Sequence, residues 1–402
     1  MSTQVNQAVN VRSYRMSNID MMRGLVILIM ASDHVRDYFF INGGGVGLDD
    51  PTIDPAFYFI RWISNFCAPV FVLLAGTSVG FMEARRSKNE LAKFVFTRGI
   101  WLIFIEIFII STAFTFSPFG DPALNGATLA FMQVIWGLGS SMIVLSGAIY
   151  FGPRTCLMIG ATILLGNNLL DPILPAGSFF GGGDPLWLTL LRTSSFNFGP
   201  FLFVFGYPVI PWTGVILLGY GSSFIFMKEP AKRDALLKKI GISFIAAFFV
   251  LRLSGIYGDP MPWQSQELGI LPTIFDFFYV LKYPPSLLYV LITLGPMAIL
   301  CAYADKTQGK IKDTLVMFGR VPFAFYVVHF YLIHILCVFF GMYQGFEASQ
   351  MMRFFFFLPE GYGTELGGMI LAWVLVMLIM YPFCKWVMKI KSTRKDWWLS
   401  YL

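Results

Sequence analysis

Between residues 23 and 39 the chain reads RGLVILIMASDHVRDYF. The first half is apolar enough to lie in hydrocarbon, while the second carries Asp33, His34, Arg36 and Asp37. Read as a helix, the stretch has a definite geometry. His34 follows Arg23 by three turns plus about 20°, so the two side chains share a face and sit roughly 16 Å apart along the axis. Asp20 lies on the same side near Arg23, and Asp37 is three residues past His34, a neighbour on the helix surface.

The rest of the composition says what surrounds this helix. Of 402 residues, 56% are hydrophobic, 17% aromatic and only 13% charged, against about 25% charged in soluble domains. A water-soluble core could not hide so much apolar surface. The expectation is an all-α polytopic membrane protein. Runs long enough to span, roughly 17–25 residues, can be placed ten times, at 21–40, 57–82, 94–115, 128–150, 155–170, 208–227, 240–257, 285–303, 316–341 and 366–388. Ordered by these runs, 23 of the 29 Lys and Arg fall on the side of the N-terminus. The six on the other side are Arg36, Arg61, Arg192, Arg252, Lys282 and Arg353. The positive-inside rule then puts both termini in the cytoplasm. The expected organisation is a cytoplasmic tail at 1–20, one multi-pass domain at 21–390 in the cytoplasmic (inner) membrane, and a cytoplasmic tail at 391–402. The formal charge of +6 is thus a topology signal that needs no nucleic-acid partner. Five cysteines sit in or beside apolar runs, without the spacing of a disulfide framework or zinc site, and read as small hydrophobes. The longer outer loops, 171–207, 258–284 and 342–365, are rich in Gly, Pro and aromatics, as pocket-shaping loops often are.

Ionisable groups within a span cost several kcal/mol unless paired or hydrated, and so mark a functional site by default. The plain alternative is that Asp33, His34, Arg36 and Asp37 form an interfacial cap on the first span. The functional reading uses both ends of the helix. Arg23, with Asp20 beside it, suits the phosphates of a long donor at the cytoplasmic surface. His34, with Asp37 in reach, suits a general base deeper in the membrane. A coenzyme A thioester has that shape, and the separation is on the order of an extended pantetheine arm.

Arg23 and His34 form the Arg-x10-His signature that resembles integral-membrane acyltransferases. The chain resembles more specifically the bacterial relatives of the heparan-α-glucosaminide N-acetyltransferase catalytic domain. The matching blocks are IDMMRGLVILIMASDHVRDYF (19–39), FCAPVFVLLAGTSVGF (66–81), YPVIPWTGVILLGYG (207–221), KYPPSLLYVLITLGP (282–296) and GRVPFAFYVVHFYLIH (319–334). The resemblance implies transfer of an acetyl or acyl group from cytoplasmic acetyl-CoA to an amine or hydroxyl of a glycan or amino-sugar acceptor at the outer face. It implies His34 as catalytic base and Arg23 on the donor side. One departure stands out: the family pattern has Thr-His before FCAP, and this chain has Ser64 and Asn65. That difference bears on proton handling or acceptor choice at Asn65.

Other groups carry two readings each. Asp33 and Arg36 border the acceptor side or merely cap the helix. Trp212 and Lys282 rim an acceptor pocket, where sugars stack on Trp, or belong to an aromatic belt at rigid helix starts. His329 faces the acyl group or bonds between helices, and His334 reads as structural. The three His lack Cys or Glu partners at ligand spacing, so no metal site is read. Glu106, in the middle of an apolar run, handles protons or pairs with a neighbouring helix. Gly76 and Gly80 make a G-x-x-x-G for close helix packing. The competing function is a proton-coupled transporter or flippase of a glycan or lipid precursor, with His34, Asp37 and Glu106 as relay. The absence of an internal repeat favours the acyltransferase. A homodimer is left open.

Overall fold

The computed structural model describes residues 2–41, 48, 50, 52–175, 177–394, 396 and 399, with side chains from residue 17 onward. The opening stretch lies in one helix, α1 (Ser2–Phe39), which starts well before the apolar run. Next come α2 (Pro55–Ile63), a short 3-10 turn, and α3 (Cys67–Glu83). The Asp54 carboxylate caps α2, accepting from the N–H groups of Ala56 and Phe57 at 2.9 and 3.0 Å. α4 (Lys88–Ile105) opens on a capping box of Ser87 and Glu90. It continues through a wider turn at Glu106–Ile110 into α5 (Ser111–Thr115).

Strand β1 (Thr128–Met132) leads into α6 (Val134–Ala148) and α7 (Pro153–Gly166). The hairpin β2 (Ser194–Phe198) and β3 (Phe201–Phe205) precedes α8 (Val209–Gly221) and α9 (Pro230–Ser254). The chain then runs through α10 (Ile270–Phe278), α11 (Leu287–Tyr303), α12 (Lys310–Arg320), α13 (Pro322–Tyr343), α14 (Ala348–Met351) and α15 (Leu366–Thr393).

Among the described residues, seven helical stretches are long and apolar enough to cross a membrane: Pro55–Glu83, Lys88–Thr115, Val134–Phe151, Val209–Met227, Leu287–Lys306, Pro322–Tyr343 and Leu366–Thr393. They coincide with seven of the ten expected runs. The runs at 21–40, 155–170 and 240–257 are helical too, for reasons of their own outside that set. α1 carries Asp33, Arg36 and Asp37 near its end. α7 has 14 residues, or about 21 Å of helix against about 30 Å of hydrocarbon. α9 has Lys232, Arg233, Lys238 and Lys239 in its first half.

The expectation of an all-α protein needs one correction, since the chain is mostly helical but holds a three-stranded sheet in the order β1-β3-β2. β1 runs parallel to β3 and β2 antiparallel to it. Residues 128–132, counted above as the start of a span, form its first strand. The physical reason lies in SSFNFGPFLFVF, where aromatic residues alternate at the period of a pleated surface. Phe196 pairs with Phe203 across the hairpin, and both stack with Phe205 on one face. Gly199, at φ +57°, takes the left-handed turn between the strands.

Helix α1 packs on α3, α12, α13 and α15. Its contact with α12 is backbone to backbone: a methyl group at Gly24 would run into the Leu315 carbonyl, and one at Gly319 into the Asp20 carbonyl. Gly76 and Gly80 do the same for α3, lying against the Ile216 carbonyl and the Ser223 side chain, as the G-x-x-x-G reading expects. All five cysteines are buried and unpaired.

Candidate active site

The charged end of α1 is held together from within. Arg36 donates through Nη1 to Asp33 and through Nη2 to Asp37, a short bond in each case. Asp33 lies one turn before both Arg36 and Asp37, which brings its carboxylate to the same side of the helix. Arg36 is thereby engaged through both terminal nitrogens and buried, while its Nε is buried without a partner. Asp37 keeps its second oxygen, Oδ2, 3.7 Å from His34 Nδ1, which is ion-pair range and too long for a hydrogen bond. His34 Nδ1 is buried and has no hydrogen-bond partner.

The His34 ring packs on Phe330 at 4.3 Å and lies 5.4 Å from the ring of His329. His329 sits behind it, completely buried. Its Nδ1 faces two carbonyls of its own helix, Phe325 at 3.0 Å and Tyr326 at 2.6 Å. Carbonyls only accept, so Nδ1 carries the proton and Nε2 is left as an acceptor; it too is buried and unpartnered. His334 is elsewhere, held between the carbonyls of Ala113 and Met351 at 2.7 and 3.0 Å and stacked on Phe116 at 4.0 Å. That is a structural placement.

Two cavities open along α1. The one at its C-terminal end, named the outer cavity after the orientation expected from the charge distribution, is about 290 Å³ and is lined by His34, Asp33, Arg36, Asp37, Asn65 and Lys282 together with aromatic loop residues. The inner one, about 740 Å³, is lined by Arg23 and Asp20 and also by Arg98, Arg320 and Lys391. Arg23 donates to Asp20 at 3.1 Å, to the Leu74 carbonyl at 3.3 Å and to Ser78. Arg320 approaches the other Asp20 oxygen at 3.5 Å. Asp20 thus ties two cations of the inner cavity to each other. In the outer cavity, burial works against the Lys282 ammonium, but the neighbouring Tyr283 and Asp33 oxygens outweigh it and hold its pKa above the usual lysine range. Lys282 therefore stays charged at neutral pH.

Two sequence expectations are corrected here. Trp212 does not reach the cavity wall: it is completely buried in α8 and packs at 4.8 Å behind Tyr207, which lines the outer cavity in its place. A Pro-Trp pair at a helix start looks interfacial in sequence, but α8 is an interior helix. His329 likewise lines neither cavity, its ring lying behind that of His34. Glu106 is paired within the protein. Its two oxygens accept the backbone N–H groups of Gln133 at 3.2 Å and Trp136 at 3.0 Å, so a carboxylate from α4's continuation caps the N-terminus of α6. The transporter reading loses the free use of that group. Lys391 also lines the inner cavity, while sequence reasoning missed Arg61, Gln133 and Tyr207 in the outer cavity and Arg98 and Arg320 in the inner one. Arg61, Arg98 and Arg320 were counted only as orientation charges. No group of three His, Cys, Asp or Glu among the described residues is arranged to hold a metal.

Residues 15–254 match the family described as heparan-alpha-glucosaminide N-acetyltransferase, catalytic. No curated protein matches the chain. The matched stretch runs to the end of α9 and holds Asp20, Arg23, His34, Asn65 and Trp212. Lys282 and His329 lie beyond it.

Proposed function

We propose, from the premise that this chain belongs to the heparan-alpha-glucosaminide N-acetyltransferase catalytic family, that it transfers an acetyl group across a membrane from acetyl-CoA to an amine or hydroxyl of a sugar-containing acceptor. The observation that carries this reading is that one helix presents Arg23 to an inner cavity and His34 to an outer one. The donor enters from the cytoplasmic side, with its phosphates on Arg23, Arg98, Arg320 and Lys391. Its thioester end extends toward His34, and the acceptor comes from the outer cavity, positioned by Asp33, Asn65 and Lys282.

The chemistry then needs a base and a place for a proton. His34 takes the proton of the attacking amine or hydroxyl as the nitrogen or oxygen bonds to the thioester carbonyl carbon. The carbon–sulfur bond breaks, and the leaving thiolate recovers that proton from His34. Asp37 stabilises the imidazolium by charge from 3.7 Å. The membrane arrangement that fits is ten crossings in the cytoplasmic membrane with both termini in the cytoplasm, α1, α7 and α9 completing the seven apolar helices.

The donor assignment is tested by heating purified protein in detergent with and without acetyl-CoA. Ligand at 100 times its dissociation constant adds about 2.7 kcal/mol. A melting temperature unmoved by millimolar acetyl-CoA would sink the donor assignment.

A further inference from the structure

The two cavities are lined by different residues with three exceptions. Met30, Phe71 and Val134 belong to both walls. They come from three separate elements, α1, α3 and the first residue of α6. Met30 lies one turn before His34 on the same face of α1, about 6 Å nearer Arg23. Val134 follows Gln133, whose N–H is held by the buried Glu106 carboxylate, so the α6 side of this junction is pinned by a bond to another helix. Polar and charged groups stand on both sides, with Arg23 and Arg98 inward and His34, Asn65 and Gln133 outward. The junction itself has none.

We propose that Met30, Phe71 and Val134 form an apolar aperture between the two cavities, that the thioester end of the donor crosses it to reach His34, and that its bore sets which acyl chains are accepted. This rests on the acyl-transfer reading given above. The argument is one of size and solvation. A hydrated ion or nucleotide phosphate loses its water at an apolar constriction, which closes to water as well as to charge when narrow. An acetyl thioester has no charge to desolvate and is slim enough to enter between three side chains. The aperture thus keeps the charged end of the donor inside and passes its reactive end. Its three members differ in give: Met has three rotatable bonds and adapts, Phe is rigid in shape, and Val is stiff at χ1.

The test uses a native reporter. Cys67 lines the outer cavity, on the far side of the aperture from Arg23. A charged methanethiosulfonate is added on the Arg23 side of sealed, singly oriented vesicles, and Cys67 modification is followed by peptide mass spectrometry. Met30→Ala and Phe71→Ala should each speed that labelling by roughly tenfold or more, as a widened constriction wets. Free coenzyme A, which fills the inner cavity, should suppress it. Labelling of the buried Cys156 or Cys384 would expose a misfolded variant, and Val134→Ala then supplies the same test from α6. Unchanged Cys67 labelling in all properly folded variants overturns the aperture. In parallel, calorimetry on the same proteins compares coenzyme A, acetyl-CoA and octanoyl-CoA. The expected result is a rise of about tenfold in octanoyl-CoA affinity relative to acetyl-CoA, the scale of a methylene-sized change in an apolar pocket, with coenzyme A itself unchanged. An unaltered chain-length ratio overturns the selectivity. Faster labelling in a protein that binds no acetyl-CoA would keep the aperture and remove the donor reading instead.

Discussion

His34 and Arg23 share a face of α1 but open to different cavities, so their loss should be felt in different kinetic constants. His34→Ala should lower kcat at least ~10²-fold, the usual scale for a general base, with acetyl-CoA affinity nearly intact. Arg23→Ala should chiefly raise the KM for acetyl-CoA, because a phosphate contact persists equally in ground and transition states. Arg23→Lys should recover part of it, keeping the charge without the fork. An unaltered acetyl-CoA affinity in purified Arg23→Ala would leave Arg23 as a topological anchor alone. The relation between these two residues was legible because it depends only on the period of one helix. The company they keep was not. Arg98, Arg320 and Lys391 reach the inner cavity from α4, α12 and α15, and no local spacing announces that convergence. Trp212 shows the reverse failure: its sequence neighbours look interfacial, and its burial is decided by helices far away in the chain.

At the scale of elements, the junction of α1 with α12 governs the inner cavity. Gly319 faces the carbonyl of Asp20, and Arg320 beside it approaches the Asp20 side chain. Gly319→Ala must push the two helices apart, since the obstacle is backbone and cannot swing away. Overpacking of this kind costs roughly 1–3 kcal/mol. The variant should melt at lower temperature and bind acetyl-CoA more weakly, while retaining kcat at saturating donor. A Gly319→Ala protein with wild-type melting and wild-type donor affinity would show that the close approach does not matter. Sequence reading found the small residues of α3 because they repeat at four-residue spacing, but Gly24 and Gly319 stand alone in their helices and meet only through tertiary packing. The sheet escaped for a related reason. TLAFM is as apolar as a span, and its strand state follows from pairing with Phe201–Phe205, seventy residues downstream.

For the whole molecule, the proposed orientation rests on charge asymmetry, which accumulates along the chain and needs no fold. The ten-crossing arrangement puts the stretch between α5 and β1 outside and the α3–α4 connection inside. Phe119, fully exposed in the first, and Arg85, exposed in the second, are suitable markers. In intact cells, an impermeant thiol reagent should modify Phe119→Cys and spare Arg85→Cys until the membrane is opened. Modification of Arg85→Cys from outside would invert the arrangement. The cavities had no comparable one-dimensional trace, because each is assembled from segments more than 200 residues apart.

The internal pairing of Asp33, Arg36 and Asp37 has a consequence for biosynthesis. Each charge delivered singly to the middle of a bilayer costs about 2.5–3.5 kcal/mol on the scale that governs insertion. Here Arg36 lies within three residues of both Asp33 and Asp37 on one helix, so as soon as that helix winds its charge is cancelled and a single net negative charge is left. In the proposed arrangement this segment therefore carries most of its own compensation, and the translocon can release it sideways into lipid before the helices that follow it have been made.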